Sequence, residues 1–192
     1  MNLVIIDYGA GNIQSIKFAF KRLGIEAELS NDIGAIKKAD KVIFPGVGEA
    51  SSAMKKLDKS GLKDLIPNLK QPVLGICLGM QLMCNSSEEG KTKGLGIFDV
   101  DVIKFDSGVK VPQIGWNKIK KLKSPLFNNL KEDYVYLVHS FYAALAAETS
   151  AISTYGVNYS AALHKNNFYG TQFHPEKSGE YGAEILMNFL KL

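Results

Sequence analysis

Apolar positions fall into two regimes along the chain. In the first half, short continuous apolar runs alternate with stretches of helical spacing. Leu3 to Ile6 (LVII) is such a run, and it ends in Asp7 and a Gly-rich turn, YGAG. After it Ile13, Ile16, Phe20 and Leu23 recur every three or four positions, with Gly24 placed to stop a helix. IEAEL (25–29) and KVIF (41–44) read as strands, the second stopped by Pro45. Ala50, Ala53, Met54 and Leu57 mark another helix, PVLGI (72–76) a further buried strand, and CLGMQLMC the helix that follows it. Uniformly apolar strands are buried on both faces, and strand–helix alternation with short turns produces a parallel sheet covered on both sides.

The second half changes character. GLGIFDVDVIKF, VPQIGWNKIKKL, YVYLVHSFYAAL and the stretch from Ser150 to Phe173 are rich in β-branched and aromatic residues and punctuated by Gly, Pro and Asn-Asn. They read as antiparallel strands and hairpins. A helix over GEYGAEILMNFLKL closes the chain. With 192 residues and no repeat, linker or low-complexity tract, the expectation is a single domain, 1–192. Its fold class is α/β: a mostly parallel central sheet flanked by helices, with a β-rich antiparallel second half.

Composition narrows the function. Hydrophobic residues at 46% and charged residues at 22% exclude a disordered chain, a collagen, a coiled coil or a disulfide scaffold. The net charge is +4, and Arg22 is the only arginine. Nucleic-acid readers use Arg for bidentate contacts, so a Lys surface points to solubility rather than to a nucleic-acid partner. The densest basic stretch, Lys118, Lys120, Lys121 and Lys123, alternates like the wet face of a strand or turn. No apolar run approaches the ~18 residues of a membrane span. The start, MNLVIIDYGAGN, lacks a basic leader, which makes the cytoplasm the expected compartment.

Several candidate motifs remain. Gly9 and Gly11 open like a dinucleotide fingerprint, but position 14, where the third glycine belongs, is Gln14. Asn12 stands where a helix N-cap is expected. GICLG places Cys77 between a strand and a helix with glycines on both sides. A nucleophile in such a turn is held at a strained backbone angle and pushed into the cleft. The helix field favours its thiolate, and the Leu78 N–H points at a developing oxyanion. Cys84 lies among Leu82, Met83 and Asn85 and reads as mid-helix core. Two helical turns separate the cysteines by ~10 Å, too far for a disulfide, and no metal-ligand spacing is present.

A nucleophilic thiol needs a base and a group to orient that base. QFHPEKS supplies His174 and Glu176 around Pro175. Proline imposes an extended shape on the preceding residue, and in an extended segment positions two apart share a side. On that reading Glu176 reaches one ring nitrogen of His174 while the other faces Cys77. His164, at a hairpin end, reads as exposed. His139 reads as either a core histidine or a pocket wall.

GICLGMQ, PGVGE and QFHPEKS together resemble class I glutamine amidotransferases, which use a catalytic triad, and the likeness spans essentially the whole chain. DYGAGNI, VPQIGWN and VHSFY resemble the branch that serves imidazole glycerol phosphate synthesis. The resemblance implies hydrolysis of glutamine to glutamate and ammonia without any cofactor or metal. Ammonia would then pass to a (β/α)8-barrel cyclase subunit in a heterodimer of histidine biosynthesis. By motif, Cys77 is the nucleophile, His174 the base and Glu176 its orienter. Leu78 and Val47 give the oxyanion donors. Gly48, Gln81, Glu89, Ser140 and Phe141 bind substrate, and Asn12 and Lys177 face the partner. Gly46 and Gly48 flank Val47, so its peptide can rotate at little steric cost. Gln113 stands where the family usually has His. Paralogues that feed a related barrel in surface-sugar biosynthesis therefore remain an alternative. So, further off, do DJ-1-like Cys hydrolases.

Overall fold

The computed structural model describes residues 1–9 and 11–192; Ala10, inside the YGAG turn, lies outside the described residues. The first half alternates strands and helices. In chain order they are β1 (Leu3–Ile6), α1 (Ile13–Arg22), β2 (Ala27–Ser30), α2 (Ile33–Lys38), β3 (Lys41–Phe44), α3 (Ala50–Lys59), α4 (Leu62–Leu65), β4 (Val73–Ile76) and α5 (Leu78–Leu82). The second half is β5 (Ser86–Ser87), β6 (Thr92–Lys93), β7 (Asp101–Lys104), β8 (Gln113–Lys118), β9 (Tyr134–His139), β10 (Phe141–Ala143), β11 (Thr149–Tyr155), β12 (Val157–Lys165), β13 (Phe168–Thr171) and α6 (Gly179–Leu190).

Seven strands form the main sheet in the order β11-β12-β13-β4-β3-β1-β2. From β13 to β2 every pairing is parallel, while β11 and β12 extend one edge antiparallel. β10-β7-β5-β6 make a second sheet, and β8 and β9 pair as a two-stranded ribbon. Side chains of β1 alternate between the faces: Val4 and Ile6 join one core, Leu3 and Ile5 the other. A strand apolar at every position is what two-sided burial demands.

The expected mostly parallel sheet is therefore present, with local differences. The second strand begins at Ala27 because Gly24 and Ile25 are spent closing α1. Gly24 has φ +77, its N–H reaches Lys21 O at 3.0 Å, and the Ile25 N–H reaches Phe20 O at 3.0 Å. That pair of bonds is a Schellman motif. α2 and α4 are too short for periodicity to reveal. α2 is announced only by its cap, Asp32 Oδ1 accepting the Ala35 N–H at 2.6 Å. The second half is not uniformly antiparallel, since β13 pairs antiparallel with β12 but parallel with β4. A hairpin signal identifies only one neighbour of a strand, and β13, buried throughout, has two. The basic stretch leaves the ribbon at Lys118, and Lys120 and Lys121 are exposed as expected.

The turns after β3 and β4 meet backbone to backbone. A Cβ on Gly79 would overlap Phe44 O, and one on Gly46 would overlap Gly79 N. Gly48, at φ +95, has nothing within 4 Å of such a Cβ. Gly79→Ala should therefore destabilise the fold by more than the ~1–3 kcal/mol typical of overpacking. Gly48→Ala meets only backbone strain and should cost distinctly less. Urea unfolding of both variants checks this, and equal losses would contradict the contact.

Candidate active site

Cys77 sits between β4 and α5 at φ 54, ψ −111. A non-glycine residue held there costs about 1–3 kcal/mol and needs its surroundings to hold it. They do so from both sides: its N–H donates to Thr171 O on β13 at 2.7 Å, and its carbonyl accepts the Gln81 N–H at 3.2 Å. Sγ lies 3.9 Å from Val138 O and 3.8 Å from Gln172 Nε2. The Leu78 N–H is the first of α5 and has no partner inside the helix. α5 ends at Leu82, so Cys84 is not in mid-helix as expected. It lies beyond the C-cap, fully buried, and its thiol donates to Met80 O at 3.5 Å. The Met83 carbonyl, which a longer helix would use for its own next turn, instead accepts the N–H groups of Ile97 and Phe98, at 2.8 and 3.0 Å.

His174 is extended, at φ −99 and ψ 95, and only 3% exposed. Its Nδ1 lies 2.8 Å from Glu176 Oε1. The two meet around a 3-10 turn, Pro175–Lys177, and not along an extended segment as the proline reading had it. Proline favours the first position of such a turn as readily as it extends the residue before it. Ser178 locks the turn: its hydroxyl donates to His174 O at 2.7 Å and accepts the Tyr136 N–H at 3.0 Å. Nε2 of His174 makes no hydrogen bond but lines the same cavity as Cys77. Burial alone would lower the His174 pKa. The neighbouring Cys77 sulfur and Glu176 carboxylate outweigh it and raise the pKa to about 10. α5 is only five residues long, so this imidazolium, rather than a long helix dipole, is the main positive charge beside the sulfur.

The cavity holds about 340 Å³. It is lined by Cys77, Leu78 and Gln81, by Val47 and Gly48, and by Val138 to Phe141, together with Glu89, Pro112 and His174. Gln81 spends its amide N–H groups on Phe141 O and Gln172 Oε1, both at 2.8 Å. Its carbonyl oxygen is what remains for a ligand's ammonium. Glu89 accepts the Ala50 N–H, the start of α3, at 2.9 Å, and partial burial raises its pKa.

Asn12 occupies the N-cap position of α1 but makes no capping bond. Its Oδ1 accepts from Ser15 Oγ at 3.0 Å, because φ −83, ψ 61 turns it away from the helix N–H groups. Lys177 is exposed, its ammonium 5.9 Å from the Tyr136 ring centroid. His164 is half-buried rather than exposed, stacked on Tyr169 at 4.3 Å. Gln113 is buried and accepts from Tyr159 OH at 3.0 Å. Rotation about Val47 is less free than two flanking glycines suggest, since Gly46 is wedged against Leu78 and Gly79. The sequence reading missed Gln172 and Tyr8. Gln172 is the first residue of the QFHPEKS motif itself. Tyr8 lies two residues past the end of the first strand and could have been weighed as a site residue for that reason.

Among the described residues no group of three His, Cys, Asp or Glu is arranged to hold a metal, and no helix is long and apolar enough to cross a membrane. A thiol turned into a cleft beside a carboxylate-bound histidine, at the carboxyl edge of a parallel sheet, is an arrangement of the kind acyl-transfer chemistry uses. The chain belongs to the class-I glutamine amidotransferase family, whose pattern it matches over residues 4–192.

Its relatives are more specific. It is 55% identical over 196 residues to a Bacteroides fragilis protein named imidazole glycerol phosphate synthase subunit HisH, covering 100% of both chains. It is 48% identical to the Haemophilus influenzae protein of the same name, covering 100% of this chain and 98% of the other. Among solved structures, a putative GMP synthase protein from Thermoplasma acidophilum superposes with a TM-score of 0.77 at 22% identity, covering 100% of this chain and 92% of that one.

The second buried histidine gives a test of its own. His139 is 6% exposed, packed on Phe105 and Tyr159, with Nδ1 2.7 Å from Phe141 O. Burial pushes its pKa down to about 4. A depressed value in the folded state means that the unfolded chain binds the proton first. Stability should therefore fall as pH drops from about 6.5 to about 4, by up to the order of 3 kcal/mol. Urea unfolding across that window should show the slope in the wild type and lose most of it in His139→Gln. An unchanged slope would assign the acid sensitivity elsewhere.

Proposed function

We propose that this chain is the glutaminase subunit of an imidazole glycerol phosphate synthase in histidine biosynthesis, hydrolysing glutamine to glutamate and ammonia. The observation that carries it is the meeting of Cys77 and His174 in one cavity, with Glu176 on the other ring nitrogen of His174, in a chain matching proteins of that name along its whole length. The DJ-1-like alternative falls away with the family match. Gln113, which left the surface-sugar branch open, is buried against Tyr159 and takes no part in the cavity. The reading entails one domain, a cytoplasmic setting and a (β/α)8-barrel cyclase for a partner, with Asn12 and Lys177 at the contact.

Glutamine enters with its ammonium toward the Gln81 carbonyl oxygen and Glu89, and its side-chain amide beside Cys77. Gly48, Ser140 and Phe141 wall the pocket. The Cys77 sulfur attacks the amide carbon as its proton resides on His174. The carbonyl oxygen becomes an oxyanion, stabilised by the N–H groups of Leu78 and Val47. His174 delivers its proton to the leaving nitrogen, the C–N bond breaks, and ammonia departs from a thioester. His174 then takes a proton from water, which attacks the thioester carbon. The second oxyanion collapses, glutamate leaves, and the proton returns to the sulfur. Glu176 holds the ring in position and stabilises its cation throughout.

Cys77→Ala should abolish glutamine hydrolysis, whereas Cys84→Ala should retain it. His174→Ala should lower turnover at least ~100-fold, the usual worth of a positioned base, and Glu176→Gln should lower it less. Ammonia release from purified variants measures all four. Comparable loss in folded Cys77→Ala and Cys84→Ala would sink the assignment of the nucleophile.

Val47 bears on regulation. It is 41% exposed at the cavity mouth, where a partner can reach it. One oxyanion donor is worth ~100- to 1,000-fold in rate. Glutaminase turnover should rise by that order when the cyclase and its nucleotide ligand are added. Full activity of the isolated chain would remove the gate and leave the triad.

A further inference from the structure

Tyr8 has no part in the chemistry just described, yet it is bound to the loop that carries one oxyanion donor. It follows β1, and Pro45 follows β3, its neighbour in the sheet. The chain leaves β1 for β2 on one side and returns to β3 on the other. The junction of β1 and β3 is thus the point where the winding of the sheet reverses, the crevice where α/β sheets place their ligands. Across it the Tyr8 hydroxyl donates to Pro45 O at 2.8 Å, in a site where the ring is 6% exposed and packs on Phe44 at 5.7 Å.

We propose that Tyr8 is a positioning residue for the Pro45–Gly48 loop, holding it so that only the peptide carrying the Val47 N–H is left to turn. The inference rests on the glutaminase reading and on Val47 as an oxyanion donor. Three contacts define the hinge. Tyr8 fixes the Pro45 carbonyl, and with it the plane of the Pro45–Gly46 peptide. Gly46 is wedged against Leu78 and Gly79. Gly48 has open space at positive φ on the far side. Rotation is therefore confined to the Gly46–Val47 peptide, between a fixed side and a loose one.

The same arrangement ties that hinge to the first turn of the chain. A Cβ on Gly11 would lie 3.1 Å from Pro45 Cβ, so Gly11 also rests against this proline. Lys56, on the helix that follows the loop, donates to Gly9 O at 2.7 Å. Residues 8, 9 and 11 thus grip the loop from before it and after it. A displacement of the first turn, where Asn12 stands, reaches Val47 through Pro45.

The test is Tyr8→Phe, which keeps the ring against Phe44 and removes only the hydroxyl, assayed as the full chain with its cyclase partner. We expect kcat for glutamine to fall by about tenfold, a fraction of what losing the donor outright would cost. KM should stay within about twofold, and the midpoint of the pH profile for Cys77 alkylation by iodoacetamide should not move. An unchanged kcat overturns the proposal. So does a loss accompanied by a shifted alkylation midpoint, which would make Tyr8 an electrostatic neighbour of the sulfur instead. Lys56→Met, which loosens the same grip from the other side, should give a smaller loss in kcat alone. If Tyr8→Phe does not fold, the result for Lys56→Met decides. A wild-type complex without turnover would remove the glutaminase reading itself.

Discussion

The approach of two backbones, at the turns after β3 and β4, is the constraint on which the site depends. Phe44 O stands where a side chain on Gly79 would begin, and Gly46 stands as close to Gly79 N. No other residue type fits at either position without moving a strand. This contact brings the Val47 loop over the start of α5, within one cavity with Cys77. A separation larger by one methyl group would lift the Val47 loop away from the start of α5. The fold accepts a strained Cys77 for the same reason: the sulfur must leave the sheet edge at an angle that ordinary backbone does not provide, and Thr171 O on the adjacent strand holds it there.

Two histidines a few ångströms from the same substrate space are driven in opposite directions. Both are buried, and burial disfavours the cation in each. His174 has a carboxylate on Nδ1 and a sulfur beyond Nε2, so its charged form prevails. His139 has a backbone carbonyl and aromatic rings, so it stays neutral. The single cation lies between the Cys77 sulfur and the Glu176 carboxylate. A second imidazolium beside it would repel the first and lower the proton affinity of His174. The aromatic packing around His139 is thus part of the electrostatics of the site.

How much of this could be read from residues alone depended on range. β1, β3 and β4 were legible because a strand buried on both faces is apolar at each position, and Cys77 because its glycines are adjacent in sequence. The His174–Glu176 pair was legible for a partly mistaken reason, since a 3-10 turn rather than an extended segment joins them. What stayed hidden was long-range. The two neighbours of β13, the Tyr8–Pro45 bond and the double use of the Gln81 amide all join residues far apart in the chain. Short elements were hidden too, as α2 has too few residues to show a period, and α5 stops at Leu82 where periodicity would have carried it through Cys84.

The contrast between the two thiols gives the molecule a built-in counter. Cys84 is fully buried, and desolvation raises its pKa so far that the thiolate is suppressed. Cys77 opens onto the cavity. A thiol reagent applied to folded protein therefore addresses one sulfur per chain, and the moles of label taken up equal the moles of intact site. The quantity of intact site in a preparation of the isolated chain can be read as a stoichiometry, independent of turnover. Uptake beyond one equivalent reports chains whose core has opened.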